Sequence, residues 1–251
     1  MKVKIYKDSE ELGDNAARLA EEIINACINE KGYARIALST GASQFDTIKA
    51  LINTQIDWSK VEMFHLDEYV GLSEAHPASF RKYLKERFTS RVSLKNAYFV
   101  NGEGNAEENI KFLCEEIEKA PIDLGFIGIG ENAHLAFNDP PADFNINKPY
   151  IIVNLDDNCK KQQVGEGWFA TIEDVPKQAI SMSINQIMKC NTIFSCVPYK
   201  VKAQAIKNTL ENEVTNNIPA TILKSHKNAT IFLDSDSSSL VREEVIKKYS
   251  V

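Results

Sequence analysis

Apolar runs and amphipathic stretches alternate along this 251-residue chain, and the alternation predicts its elements. Residues 1–6 alternate apolar and polar, as a short edge strand does. After a cap at Asp8 or Ser9, Leu12, Ala16, Leu19, Ala20, Ile23, Ile24 and Cys27 recur at helical spacing, and Gly32 ends the helix. ARIALS reads as a buried strand, followed by the turn STGAS and a helix over about 44–53. VEMFHL is a further strand, followed by a polar turn, DEYVGL, and a helix over about 77–88 with Pro77 in its first turn. AYFV predicts a strand, and 106–119 an acid-flanked helix.

The stretch from Ile122 to Pro140 follows, IDLGFIGIGENAHLAFNDP. A short apolar strand runs into Gly128 and Gly130, then into Glu131, Asn132, His134, Asn138 and Asp139. Beyond it come strands YIIVNL, QAISMS, TIFSCV and ATIFLD, with helices over INQIMK, about 200–210 and PATILKSH, and a last helix over about 238–249. Strand and helix alternate almost throughout. The expected fold is therefore α/β, three-layered, with a mostly parallel central sheet and helices on both faces. No repeat or linker divides the chain, and VGEGWFATIEDVP, with its two glycines, is the expected mobile lid, over about 158–176.

Composition narrows the function classes. A formal net charge of -6 without a basic cluster speaks against nucleic acid as a partner. The five cysteines are an odd number with no C-x-x-C pair, and no Cys/His pair has zinc-ligand spacing, so reduced thiols and no structural metal are expected. Residues 1–12 lack the apolar stretch of a signal peptide and no run approaches membrane length, which makes the cytoplasm the simplest location.

Three polar turns at strand ends carry the chemistry. Ser39, Thr40, Gly41, Ala42 and Ser43 make either a phosphate cradle at a helix start or an ordinary N-cap; the glycine-lysine-Ser/Thr end of a P-loop is missing. Asp67 and Glu68 are adjacent carboxylates at the end of a buried strand, where mutual repulsion and lost hydration raise a pKa toward that of a general base; a cap plus a solvated acid is the plainer alternative. His134, with Asn132 and Asp139 beside it, is either a proton shuttle or a loop histidine. GIGENA also fits a dinucleotide fingerprint with acids following at Asp156 and Asp157, but Pro140 and Pro141 block the helix that fingerprint needs. No hydroxyl or thiol sits in a nucleophile motif, so proton transfer on a small anionic substrate is favoured over covalent catalysis.

The motifs LSTGAS-x-x-x-T-x-x-A, F-H-LDEYVGL-x-x-x-HP-x-S, G-x-GENAHLAFNDP and PATIL-x-x-H resemble, in order and spacing, those of the glucosamine-6-phosphate deaminases. The related 6-phosphogluconolactonases share the fold but carry different residues after the acidic pair and after the histidine. The resemblance implies one sugar-phosphate isomerase/deaminase domain over 1–251, with a modified Rossmann-like fold. It implies an aminosugar phosphate as substrate, no cofactor and no metal. His134 would help open the pyranose ring, and Asp67 would carry the C2 proton to C1. Asn132 and Asp139 would complete the catalytic set; Ser39 to Ser43, Glu68 and Lys202, or its neighbour Lys200, would bind substrate.

Familiar members have aspartate at Asn132, glycine at Ala133 and glutamate at Asp139. An amide at Asn132 cannot stabilise an imidazolium as a carboxylate does, so a sugar-phosphate-binding protein without turnover is the second reading, and a deaminase of galactosamine 6-phosphate and a lactonase are further ones. An arginine that completes the phosphate site in familiar members has no clear match; Lys160 or Lys161 is the expected substitute. Some members are hexamers activated by an N-acetylated sugar phosphate. Where those carry basic residues this chain has Tyr150 and Ile152, with only Lys148 basic nearby, and it runs only a short way past its last helix to Val251, so no such activation is expected. The oligomeric state stays open.

Overall fold

The computed structural model describes residues 1–155, 157–165 and 167–250, so Asp156, Glu166 in the expected lid and Val251 lie outside the described residues. A seven-stranded, wholly parallel sheet forms the centre. In spatial order its strands are β1 (Lys2–Tyr6), β10 (Ala229–Asp234), β9 (Thr192–Val197), β6 (Leu124–Phe126), β2 (Ala34–Leu38), β3 (Val61–His65) and β5 (Asn96–Tyr98).

Both faces of this sheet are buried, and the period-two alternation of strand side chains divides the core in two. On one face Ile36, Leu38, Met63, Phe194 and Phe232 pack under α1 (Ser9–Lys31) and α2 (Phe45–Leu51). On the other Ala37, Phe64, Ile193, Ile231 and Leu233 meet α4 (Ala106–Ile117) and α7 (Ala203–Glu211) through Ile110, Leu113, Ile206 and Leu210. Asp8 caps α1 by accepting the Glu11 N–H, and Gly32, at φ 83°, ends it. The expected three-layer α/β architecture is present.

A second, three-stranded antiparallel sheet stands at the carboxyl ends of the parallel strands. It comprises β4 (Asp67–Tyr69), β8 (Gln178–Met182) and β7 (Tyr150–Asn154). This corrects the sequence reading in two places. DEYVGL begins not as a turn but as a strand, because Asp67 to Tyr69 find antiparallel partners in Ser181 to Ala179. YIIVNL and QAISMS pair with each other and stay out of the parallel sheet.

Pro77 also lies outside its helix, which is capped by Ser79 and runs as α3 (Phe80–Leu84) into a π-helical turn, Lys85–Thr89. The last helix, α8 (Glu243–Tyr249), starts later than expected, because Asp234 to Val241 form hydrogen-bonded turns instead. The segment expected as a lid begins with α5 (Asp157–Gly165), and α6 (Ile184–Ile187) follows β8. No helix among the described residues is long and apolar enough to cross a membrane.

Candidate active site

A cavity of about 300 Å³ opens at the carboxyl ends of β2, β3, β6 and β9, the edge at which open parallel sheets bind ligands. The turn after each strand supplies a wall.

After β2 the chain turns through Ser39 to Ser43, all five lining the cavity. Gly41 takes φ 103°, which a side chain would oppose, and its carbonyl accepts the Gln44 N–H at 3.0 Å and the Tyr83 hydroxyl at 2.9 Å. Gln44 is buried beneath the turn and donates to Ser43 Oγ and to the Cys196 carbonyl. The Ser39 hydroxyl is buried with no hydrogen-bond partner in the protein.

After β3 the small sheet fixes Asp67, whose side chain lines the cavity although the residue is only 7% exposed. Burial, reinforced by the Glu68 charge, pushes the Asp67 carboxyl up to about 8. Glu68 corrects an expectation: it does not line the cavity. Wholly buried, it accepts hydrogen bonds from the Ser79 hydroxyl, from the Tyr69, Phe80 and Arg81 N–H groups, and from Arg81 Nε at 3.2 Å. Its role is to anchor α3 and Arg81 behind Asp67.

After β6, the turn from Gly128 folds so tightly that a Cβ on Gly130 would lie 2.2 Å from the His134 ring. The His134 N–H donates to Asn132 Oδ1, Asn132 Nδ2 donates to Asp139 Oδ1 at 2.8 Å, and that oxygen lies 3.1 Å from His134 Nδ1. Burial works to raise Asp139, but its contacts with His134, Asn132 and Cys159 prevail and hold the carboxyl below its ordinary value. His134 lines the cavity; Asn132 and Asp139 stand behind it. A carboxylate, that of Asp139, thus stands beside the imidazole although Asn132 is an amide, while His134 Nδ1 itself makes no hydrogen bond among the described residues. Asn138 is structural: its amide donates to the Leu135 and Met182 carbonyls.

After β9 the cavity wall is Tyr199, Val201 and Lys202, whereas Lys200 turns away to donate to Ser239 Oγ at 2.7 Å. Neither Lys160 nor Lys161 lines the cavity; the Lys160 ammonium lies 3.8 Å from Asp157. From the segment expected as a lid, Gln163 and Trp168 line it, with Gln163 Oε1 accepting the Tyr69 hydroxyl at 2.6 Å. Sequence reasoning singled out no site role for Tyr83, Phe80, Phe137, Gln163 or Tyr199. Tyr199 carried a usable signal, its place just after a buried parallel strand, as did Gln163 within the expected lid and Phe137 within the stretch from Ile122 to Pro140. Among the described residues no group of three or more His, Cys, Asp and Glu side chains is arranged to hold a metal ion.

Residues 7–232 match the family model described as glucosamine-6-phosphate isomerases/6-phosphogluconolactonase. A glucosamine-6-phosphate deaminase of a Thermoanaerobacter species is 37% identical, over 100% of this chain and 99% of its own. That of Oenococcus oeni is 34% identical over 97% and 100%. Among solved structures, a monomeric glucosamine-6-phosphate deaminase superposes with a TM-score of 0.86 at 29% identity, over 96% of this chain and 100% of its own. A 6-phosphogluconolactonase from Shewanella baltica, at 16% identity, shares the fold with a TM-score of 0.77, over 93% and 97%.

Proposed function

The chain belongs to the family of glucosamine-6-phosphate isomerases and 6-phosphogluconolactonases, and we propose that it converts glucosamine 6-phosphate and water to fructose 6-phosphate and ammonia. The observation that carries this reading is the meeting, in one cavity, of the Ser39 to Ser43 turn and Lys202 with Asp67 and His134. The first pair suits a phosphate, and the second suits proton transfer a few bonds away.

The residues take the following roles. His134, its ring backed by the Asp139 carboxylate, moves the proton between the anomeric hydroxyl and the ring oxygen, opening the pyranose. Asp67, ionised, removes the C2 proton, which leaves a C1–C2 enolamine. The same carboxyl returns the proton to C1, and the resulting iminium at C2 is hydrolysed to the ketone with loss of ammonia. A carboxyl pushed up to about 8 by burial is a stronger base than an exposed one, and it sits near the pH at which it must both take and return a proton.

The alternative of binding without turnover drew its support from Asn132; the Asp139 carboxylate 3.1 Å from the ring supports the reading with turnover. The test is ammonia release from glucosamine and galactosamine 6-phosphates by the purified protein, with 6-phosphogluconolactone hydrolysis as comparison. Ammonia from glucosamine 6-phosphate is expected. Ammonia from neither hexosamine would overturn the proposal.

A further inference from the structure

Tyr199 adopts a backbone conformation that belongs to glycine, with φ 81° and ψ 145°. For a residue with a Cβ this region is strained and persists only where the surroundings impose it. Here the constraint is visible. The Tyr199 N–H donates to Asp234 Oδ2 at 2.9 Å, across from the end of β9 to the end of the neighbouring β10.

Asp234 is itself held. Its Oδ1 accepts the Ser237 N–H at 2.7 Å, and its own N–H donates to Ser237 Oγ at 3.1 Å. Both residues are buried, so the carboxylate has little freedom to turn. The Tyr199 carbonyl in turn accepts the Lys202 N–H at 3.0 Å, closing the 3-10 turn Lys200–Lys202. On its outer side that turn is pinned by Lys200, which donates to Ser239, in the same segment as Asp234.

From this chain of contacts we infer that Asp234 is a positioning residue for the phosphate end of the site. Its carboxylate holds Tyr199 in the glycine-like conformation, and that conformation sets the direction of the turn that brings Lys202 to the cavity. The inference deepens the deaminase reading and rests on it. Asp234 does not line the cavity, and its contacts lead to Lys202 and away from Asp67 and His134. Its loss should therefore weaken binding of a phosphomonoester and leave proton transfer largely intact.

Asp234→Asn keeps the size of the side chain but leaves one acceptor oxygen for the two N–H groups of Tyr199 and Ser237. The KM for glucosamine 6-phosphate, and the dissociation constant of fructose 6-phosphate by calorimetry, should each rise about tenfold, with kcat within about twofold of wild type. Glycine needs no clamp at this position. In a Tyr199→Gly background the same Asp234→Asn change should therefore leave the fructose 6-phosphate affinity within about twofold.

Equal weakening in both backgrounds, or no weakening in either, would overturn the inference while leaving the deaminase reading in place. Failure of the wild type to bind fructose 6-phosphate would overturn both. Should Asp234→Asn alone fail to fold, folding of the double variant supports the clamp, and failure of both contradicts it.

Discussion

Oδ1 of Asp139 lies 3.1 Å from Nδ1 of His134, and the amide of Asn132 holds that oxygen from the other side. The carboxylate beside the imidazole is therefore Asp139, seven residues from Asn132 in the chain. Replacing Asn132 with aspartate, the residue of familiar members, would set two carboxylates against each other where an amide now donates. We predict that Asn132→Asp lowers kcat/KM about tenfold and does not raise it. Steady-state kinetics over a range of pH checks this, and increased activity would show the amide to be a defect in the site.

Gly130 is bare because the His134 ring occupies the place of its Cβ. Gly130→Ala should displace the ring from the cavity and lower kcat about a hundredfold or more. Binding of fructose 6-phosphate, which depends on the other end of the cavity, should change far less. Calorimetry beside kinetics separates the two.

Glu68 is wholly buried and paired with Arg81, itself 4% exposed. Glu68→Gln removes the charge and leaves the guanidinium poorly compensated, which we expect to lower stability by about 3 kcal/mol. Arg81 keeps contacts with Glu103 and Asn101, so the protein should still fold. Urea denaturation gives the value, and a change within about 0.5 kcal/mol would contradict the structural role assigned to Glu68.

This pair shows what the sequence made legible. Three of the strand ends could be placed from apolar runs that stop at a polar turn, and Asp67 and His134 came with them, whereas Lys202 came only with the family resemblance. The role of Glu68 could not be placed, because it depends on which face of β4 the side chain takes, and that of Asn132 could not, because it depends on how the turn folds Asp139 back onto it. Glu68 meets Ser79 and Arg81, and Asn132 meets Asp139. The small antiparallel sheet was hidden because its pairing is long-range: Asp67 pairs with Ser181 across more than a hundred residues of chain.

Asp67 gives a pH dependence with a definite sign. Its carboxyl is raised to about 8 by burial and then by Glu68, so the folded state holds the proton more tightly than the unfolded chain, where an aspartate titrates near about 4. The associated stability is fully present below about pH 4 and is lost as pH rises through about 8. Asp67→Asn carries no such group. Its melting temperature should exceed that of the wild type by an amount that grows between about pH 5 and pH 9, to on the order of 5 °C. A constant difference across that range would contradict the raised value. In the wild type, kcat/KM should rise with pH through about 8 as the base ionises.

Tyr150 is wholly buried and its hydroxyl donates to the His65 carbonyl at 2.8 Å, while the nearby Lys148 lies 3.6 Å from Glu107. Neither Tyr150 nor the half-buried Ile152 offers a cation to an acetylated sugar phosphate. Substrate curves should be hyperbolic and unchanged by N-acetylglucosamine 6-phosphate. A sigmoidal curve made hyperbolic by that compound would contradict this.

The most direct test follows the C2 proton itself. Wild type and Asp67→Asn are incubated with glucosamine 6-phosphate in deuterated buffer, and loss of the C2 proton signal is followed by proton NMR alongside ammonia release. The account predicts that the two processes slow together in Asp67→Asn, by about a hundredfold or more, while fructose 6-phosphate still binds. C2 exchange at the wild-type rate in that variant would show that another group is the base.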